Sequence, residues 1–172
     1  MSHSTTSLTE RRLRWLNELS HDEAVGALLL ICHSRRWAEQ VTELRPYADA
    51  DALYDAADKV WLGLQPEDWL EALDGHPRIG ERGGTSAESS RIEQAGVSGA
   101  DADVQAALAE GNREYEERFG HIFLISAANR SAPEILANLR SRLDNDPDTE
   151  VIVAAEQHRR ITRLRLERLL DE

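Results

Sequence analysis

The stretch PEDWLEALDGHPRIG, residues 66–80, contains a helix and the loop that interrupts the helical pattern of the chain. Pro66 stands where proline is favoured as the first residue of a helix. Apolar residues then recur at helical spacing: Trp69, Leu70 and Leu73. Gly75 predicts a helix end with a left-handed cap. His76 precedes Pro77, and a residue before proline is kept out of the helical conformation. The stretch therefore predicts a helix that ends in a stiff turn carrying a histidine.

Helical periodicity continues on both sides of this stretch. Apolar spacing predicts helices over about 8–19, 21–31, 35–44, 53–64, 102–118 and 149–170. Capping boxes are predicted at Ser20–Glu23 and Ser131–Glu134. The run FGHIFLIS, residues 119–126, is apolar without helical period and predicts a buried extended segment. The sequence therefore predicts an all-α fold, a single domain over residues 1–172 that forms a helical bundle with a long active-site loop between helices.

The composition excludes several classes of partner. The 172-residue chain has 32 acidic residues against 20 lysines and arginines, a formal net charge of −12. This acidic excess argues against nucleic acid or an anionic membrane as the partner. The only cysteine, Cys32, rules out an internal disulfide and suits a reducing cytoplasm. The polar N-terminus lacks a secretory signal, and no run approaches the roughly 18 apolar residues of a membrane span. We therefore expect a cytoplasmic protein.

The loop after Gly75 offers two interpretations of its titratable residues. His76 suits proton transfer near neutral pH, although most histidines beside a turn proline do no chemistry. Ser90-Arg-Ile-Glu93 matches a capping box, which by itself explains Glu93. Alternatively, Glu93 lies at a helix start and turns toward His76, where a carboxylate fixes the imidazole tautomer. Gln94 supplies both a donor and an acceptor for an amide-rich ligand. From the residues alone both interpretations stay open.

Other candidates are weaker on residue type alone. His121 lies in the apolar run, where a satisfied core histidine is as plausible as a ligand contact. Arg165 shares a stripe of the last helix with Ala154, His158 and Ile161, where arginine is usually solvated. For His158 a structural role is favoured. The loop arginines could supply the positive field that an anionic substrate needs in this acidic protein: Arg78, Arg82 and Arg91.

Several motifs together resemble a known family. HPRIG at 76–80, followed by SRIEQAG at 90–96, is similar to the motif of the 2-oxo-4-hydroxy-4-carboxy-5-ureidoimidazoline (OHCU) decarboxylases of urate breakdown. CHSRRWAEQVTELRPY at 32–47 resembles the early segment of that family. NREYEERFGHIFLISAANRSAPEILANLRSRLDND at 112–146 resembles its central segment, and ITRLRLERLL at 161–170 resembles its C-terminal motif. The order of the four segments makes the resemblance specific.

Two positions depart from the family pattern. Ser89 stands where an aromatic residue is common before the Ser-x-x-Glu-Gln motif, which loosens one wall of the expected pocket. Asn129 stands where glycine is common, in a turn whose left-handed geometry asparagine tolerates.

The resemblance implies a function and a set of site residues. It implies a cofactor-free lyase, usually a homodimer, that decarboxylates an anionic ureidoimidazoline to (S)-allantoin and carbon dioxide. By position in the family motifs, His76 is the catalytic histidine, Glu93 is its partner, and Arg165 is the arginine that reaches the substrate. The remaining positions match substrate contacts: Pro77, Ser90, Gln94, and the backbone of His121, Ile122, Phe123, Leu124 and Ile125.

The chemistry is consistent with these residue types. Loss of carbon dioxide leaves electron density that an adjacent ring carbonyl can accept, so the reaction requires no cofactor or metal. Two other functions stay open. One is a metal-dependent ureide hydrolase that uses His76, His121 or His158, although no close His-x-x-x-His spacing is present. The other is a non-catalytic helical binding module.

Overall fold

The computed structural model describes residues 6–80 and 94–172, and within these ranges every regular element is an α-helix. The predicted all-α class is confirmed. The helices are α1 (Leu8–Glu18), α2 (His21–Ile31), α3 (Arg35–Glu43), α4 (Ala50–Leu62), α5 (Pro66–Asp74), α6 (Ala95–Ser98), α7 (Ala102–Phe119), α8 (Ala132–Arg142) and α9 (Pro147–Asp171). The chain divides into two compact units, Met1–Asp68 with Thr162–Glu172, and Trp69–Ile161.

The first unit is built from α1 to α4 and the end of α9. Helix α2 packs on α3, and α3 packs on α4. The predicted capping box at the start of α2 is present, because the Ser20 side chain accepts from the Glu23 backbone and the Glu23 side chain accepts from the Ser20 backbone. Trp37 is fully buried in this unit and donates its indole N–H to the carbonyl of Ala57 at 3.1 Å. Local capping and an apolar core thus account for the helices of this unit.

The second unit has α7 packed against α8. Its core consists mainly of residues from these helices and from the segment between them: Leu108, Tyr115, Phe123, Ile125, Ile135 and Leu139. Gly111 lets the two helices approach closely, because a Cβ there would collide with the Leu139 side chain. The predicted capping box of Ser131 and Glu134 opens α8. The unit therefore has an apolar core of its own.

The turn after α5 differs from the prediction in one respect. Helix α5 begins at Pro66, as predicted, and ends at Asp74. The N–H of Gly75 bonds to the carbonyl of Ala72 at 3.2 Å, and the N–H of His76 bonds to that of Leu73 at 3.0 Å. These bonds tighten the last turn without a left-handed residue, so the predicted left-handed cap at Gly75 is wrong.

The segment that follows α7 is a buried, non-helical stretch, as predicted. Gly120, not Gly75, provides a left-handed cap, with φ of 76° at the end of α7. Phe123, Leu124 and Ile125 are buried and lie outside any helix. Asn129 adopts φ of 63°, the left-handed geometry expected at this departure from the family pattern.

None of the helices in the described part of the chain combines the length and the apolar character that crossing a bilayer requires.

Candidate active site

His76 is placed by the turn at the end of α5. Its side chain is buried, with 8% of its surface exposed. Its Nε2 lies 3.1 Å from Nε2 of His158, a residue of α9. The two rings are almost perpendicular, at 85°, with centroids 4.9 Å apart. The two imidazoles are therefore far apart in the sequence but meet edge to face, with a contact between their Nε2 nitrogens.

This contact limits the protonation of the pair. A ring nitrogen donates a hydrogen bond only when it is protonated and accepts only when it is not. One of the two Nε2 atoms is thus the donor and the other the acceptor, and two imidazolium rings cannot make this contact. His158 is fully buried. The sequence favoured a structural role for His158 and did not indicate its direct hydrogen bond to the predicted catalytic histidine.

Two side-chain amides hold the loop residues that follow His76. Asn112 of α7 donates from Nδ2 to the carbonyl of Ile79 at 3.2 Å. The N–H of Gly80, which has φ of 90°, donates to Oε1 of Gln94 at 2.9 Å. Gln94 is half-buried, as is Pro77. The structure thus brings the predicted pocket residue Gln94 to the same loop segment that carries His76.

The first of the loop arginines is already paired. Arg78 makes a two-pronged contact with Glu116 of α7, with Nε 2.5 Å from Oε1 and Nη2 3.0 Å from Oε2. The carboxylate offsets the charge of Arg78, so the expectation that this side chain supplies a positive field for the substrate is not supported by its environment. Arg82, Arg91, Ser90 and Glu93 lie outside the described residues.

The segment from His121 to Ile125 is mostly buried, with Ile122 partly exposed. Nδ1 of His121 lies 3.1 Å from the carbonyl of Ile122, an acceptor, so Nδ1 carries the proton of a neutral ring. Nε2 of His121 is buried and has no hydrogen-bond partner among the described residues. A buried acceptor of this kind is suited to an N–H of a ligand.

A charged cluster holds this segment in place. Arg142 of α8 donates from Nη1 to the carbonyl of Leu124 at 2.7 Å and from Nε to Oε1 of Glu150 at 2.8 Å. Glu150 is fully buried, and it also accepts from the Tyr115 hydroxyl and, at 2.9 Å, from Nδ2 of Asn145. Burial, followed by the hydrogen bond to Glu150, raises the pKa of Tyr115. Arg142, Glu150 and Tyr115 are called the arginine cluster below.

Arg165 belongs to the first unit. It is 2% exposed, and its Nη1 donates to the carbonyl of Ile31 at 3.3 Å. The general expectation of a solvated arginine at this position of the stripe is therefore wrong. Arg160, by contrast, is exposed and pairs with Glu156, as is usual for a helix surface.

Sequence reasoning missed His158 as a neighbour of His76, and it missed the arginine cluster. One signal was available for both. Glu150 and His158 lie on the same apolar stripe of α9 as Ala154 and Ile161, which are buried in a small core with Leu73. A titratable residue that faces an apolar core needs a specific partner, and this requirement marks both side chains.

No three histidine, cysteine, aspartate or glutamate side chains converge in metal-binding geometry within residues 6–80 and 94–172.

Comparisons with known proteins agree on one family. A family model described as OHCU decarboxylase matches residues 17–167. The uric acid degradation bifunctional protein TTL of Arabidopsis thaliana is 35% identical over 148 residues, which are 82% of this chain but only 45% of that protein. The chain thus spans less than half the length of this relative.

Two further matches cover nearly the whole of the related chain. The 2-oxo-4-hydroxy-4-carboxy-5-ureidoimidazoline decarboxylase of Haloferax volcanii is 30% identical over 162 residues, 91% of this chain and 95% of that protein. A crystal structure of OHCU decarboxylase in the presence of (S)-allantoin has a TM-score of 0.76 and 29% identity, and the match covers 85% of this chain and 98% of that one.

Proposed function

This chain belongs to the OHCU decarboxylase family, and we propose that it converts 2-oxo-4-hydroxy-4-carboxy-5-ureidoimidazoline to (S)-allantoin and carbon dioxide. The proposed enzyme is a carboxy-lyase that acts in the third step from urate to allantoin. The observation that carries the proposal is the match over 95% of the length of a relative named for this decarboxylation. The buried histidine on the HPRIG loop supplies a chemical reason for it.

The proposed reaction requires the protein to do three things. It must orient the carboxylate, polarise the ring carbonyl that accepts the electron pair, and protonate one face of the carbon that loses carbon dioxide. His76 is suited to the third task because its ring is buried and held at a fixed turn. A positioned proton donor contributes roughly 10²–10⁴-fold in rate. We propose that this proton transfer by His76 decides which allantoin enantiomer forms.

The remaining roles are proposed from position in the family motifs. Arg165 would bind the anionic or carbonyl groups of the substrate, and Glu93 would orient His76. Gln94 would offer its amide to the ureido group while its Oε1 accepts from Gly80. The contacts proposed for the other positions are with the substrate as well: Pro77, Ser90, and the backbone of His121 to Ile125.

Several properties of the whole protein are proposed with the function. We propose that the enzyme is a cytoplasmic homodimer, that its reaction needs neither cofactor nor metal, and that its partner is a small anionic substrate and neither nucleic acid nor membrane. Light scattering coupled to gel filtration tests the dimer, which predicts twice the 19.3 kDa chain mass. We also propose that residues 1–172 form one domain, and a single cooperative unfolding transition by both fluorescence and circular dichroism is the expected result.

Stereochemistry tests the proposed activity directly. The substrate is generated from urate in the presence and absence of the protein, and allantoin is followed by circular dichroism. We expect an optically active product with the protein, because uncatalysed decay yields a racemic mixture. An optically inactive product at every protein concentration would contradict the proposed function.

The role of Glu93 has a matched control in the same chain. Glu93→Gln keeps a hydrogen-bonding side chain but loses the charge, so turnover should fall by roughly 10²-fold if the carboxylate supports His76. Glu134→Gln makes the same change in the capping box of α8, where Glu134 accepts from the Ser131 N–H at 2.9 Å, and turnover should not change. Equal turnover of the two variants would show that the charge of Glu93 does not support His76 and would leave Glu93 with a capping role alone.

A further inference from the structure

We propose that Arg130 is a specificity-determining residue that recognises the negative charge of the substrate by binding its carboxylate through the Nη groups. This inference rests on the proposed function, because it names a group that selects an anionic ligand for the same site. It follows from the contacts of Arg130 and from its lack of a carboxylate partner among the described residues. The positions matched to the family motifs do not include Arg130.

Arg130 follows shortly after the mostly buried segment from His121 to Ile125. Its Nε donates to the carbonyl of Ser126 at 3.0 Å. The N–H of Ser126 in turn donates at 3.0 Å to Oε1 of Gln157, which precedes His158 in α9. The guanidinium group is therefore held at the C-terminal end of the segment whose backbone is proposed to contact the substrate.

The backbone of Arg130 also contacts the segment that carries Gln94. A Cβ at Gly96 would lie 2.7 Å from the carbonyl oxygen of Arg130, which is too close for any residue but glycine. Gly96 is two residues after Gln94, whose Oε1 accepts from the N–H of Gly80 in the HPRIG loop. Arg130 thus lies beside two of the segments that the proposed function assigns to substrate contacts.

The charge of Arg130 is not offset by a carboxylate of the described chain. Within residues 6–80 and 94–172 its guanidinium group bonds to the Ser126 carbonyl, and no acidic side chain pairs with it. Several other arginines of the same unit do pair with carboxylates: Arg78, Arg113, Arg142, Arg159 and Arg160. Because Arg130 is half-buried, its charge is screened less than that of a fully exposed side chain. It can therefore attract an anion to a protein whose net charge is −12.

The donors that remain on Arg130 match a carboxylate. Ser126 takes the Nε donor, which leaves the N–H groups of Nη1 and Nη2. Two parallel N–H bonds from such a fork hold a carboxylate in a fixed orientation. During decarboxylation the negative charge leaves the carboxylate and passes into the ring, so this contact is strongest before the bond breaks. An interaction of this kind lowers KM without raising kcat.

Removing the charge should weaken substrate binding and leave the chemical step almost unchanged. We expect Arg130→Gln to raise KM about 5–10-fold at low ionic strength and to change kcat less than about twofold, because a charge-assisted contact with the unreacted substrate is lost. Added sodium chloride should raise the KM of the wild type more than that of Arg130→Gln. Arg140→Gln removes the same charge from an exposed position of α8 and is the control, which should match the wild type.

Equilibrium binding separates recognition of charge from a structural role, without any turnover. Calorimetry measures two probes: (S)-allantoin, which is neutral, and allantoate, an anion with a carboxylate and ureido groups. We expect Arg130→Gln to weaken allantoate binding about 5–10-fold and to change the affinity for (S)-allantoin less than about twofold. The proposal is overturned if both probes lose affinity equally, as loss of a merely structural arginine would cause, or if Arg130→Gln keeps the wild-type KM.

The two measurements also distinguish this inference from the proposed function. If the wild type gives no optically active allantoin but Arg130→Gln selectively loses affinity for allantoate, the assigned reaction is wrong and the role of Arg130 stands. If the wild type is active and Arg130→Gln keeps its KM, the function stands and the role of Arg130 is wrong. Should Arg130→Gln fail to fold, Arg130→Lys, which keeps the charge without the fork, decides: a selective loss of allantoate affinity supports the proposal, and an equal loss for both probes overturns it.

Discussion

The arginine cluster and the His76–His158 pair are both buried in the unit Trp69–Ile161, yet they are bonded in different ways. In the cluster, Glu150 accepts hydrogen bonds from three side chains, and Arg142 satisfies a backbone carbonyl as well as the carboxylate. Its charges are opposite and close together. In the histidine pair, the two side chains bond to each other through their Nε2 atoms.

The difference indicates a structural role for the arginine cluster and a role in proton transfer for His76. Arg142 donates both to the Glu150 carboxylate and to the Leu124 carbonyl, so the cluster holds the Leu124 segment in place. Imidazole is the side chain suited to proton transfer near neutral pH. Helix α9 contributes to both, through Glu150 and His158. We therefore expect substitutions in the cluster to change the free energy of unfolding and substitution of His76 to change turnover.

The largest expected effect is on turnover. His76→Asn keeps a polar side chain but cannot transfer a proton near neutral pH, so stereoselective decarboxylation should fall roughly 10²–10⁴-fold. The allantoin formed should approach the racemic mixture, as measured by circular dichroism. The variant should fold, because Pro77 and Gly80 still set the loop backbone. A variant that keeps wild-type turnover and yields one enantiomer would place the proton donor elsewhere.

The next largest effect is on stability. Glu150→Gln removes the buried carboxylate and leaves the Arg142 charge uncompensated, which should lower the free energy of unfolding by about 3–5 kcal/mol. Urea denaturation measures this loss. Glu156→Gln is the matched control on the same helix, because its partner Arg159 is partly exposed, and it should change the stability by less than about 1 kcal/mol. Similar losses of stability for the two variants would contradict the expectation that the buried cluster stabilises the fold more than an exposed ion pair does.

A smaller effect is expected for the tyrosine of the cluster. Tyr115→Phe removes one hydrogen bond to Glu150 and leaves the others, so the free energy of unfolding should fall by about 1–2 kcal/mol near neutral pH. Folding raises the pKa of Tyr115 above its ordinary value of 10.0. Its contribution is therefore complete below pH 10 and is lost as the pH rises further, because the unfolded chain ionises first.

The sign of this pH effect gives the Tyr115 prediction its control. Between pH 9 and pH 11 the wild type should lose more stability than Tyr115→Phe, which lacks the group. Burial also raises the pKa of Tyr47 to about 12, so a smaller alkaline loss should persist in the variant. Parallel stability curves for the two proteins would show that Tyr115 does not contribute in this way.

No effect is expected from metal removal. The proposed reaction has its own electron acceptor in the ring carbonyl, and the proton donor is an imidazole. Exhaustive treatment with EDTA, followed by assay of optically active allantoin, should leave turnover unchanged. Lost activity that returns with zinc or another divalent ion would favour the metal-dependent ureide hydrolase instead.

Features fixed by neighbouring residues were predicted well from the sequence. The capping boxes at Ser20 and Ser131 each depend on a side chain three residues away, and both are present. The start of α5 at Pro66 also follows from local backbone geometry. The cap at Gly75 was mispredicted because glycine permits left-handed geometry without requiring it, and the chain here continues with tighter helical bonds.

Features that depend on distant residues were not predicted. His158, which bonds to His76, is 82 positions away, and nothing in local spacing identifies it. Arg142 and Glu150 belong to different helices, so their pairing depends on how the chain turns between α8 and α9. The family resemblance indicated His76 and Arg165 as functional. It did not indicate His158, which contacts His76 from α9, and it did not indicate the arginine cluster that holds Leu124.

Because α9 is one continuous helix, the number of residues in this part of the chain is constrained as strongly as their types. Glu150, Gln157 and His158 all act from one continuous helix, and Gln157 accepts the backbone N–H of Ser126 at 3.0 Å. One inserted residue between Glu150 and Gln157 would rotate the later two by about 100° and shift them by about 1.5 Å. Single-residue insertions and deletions should therefore be excluded here during evolution, even where many substitutions on the outer face are neutral.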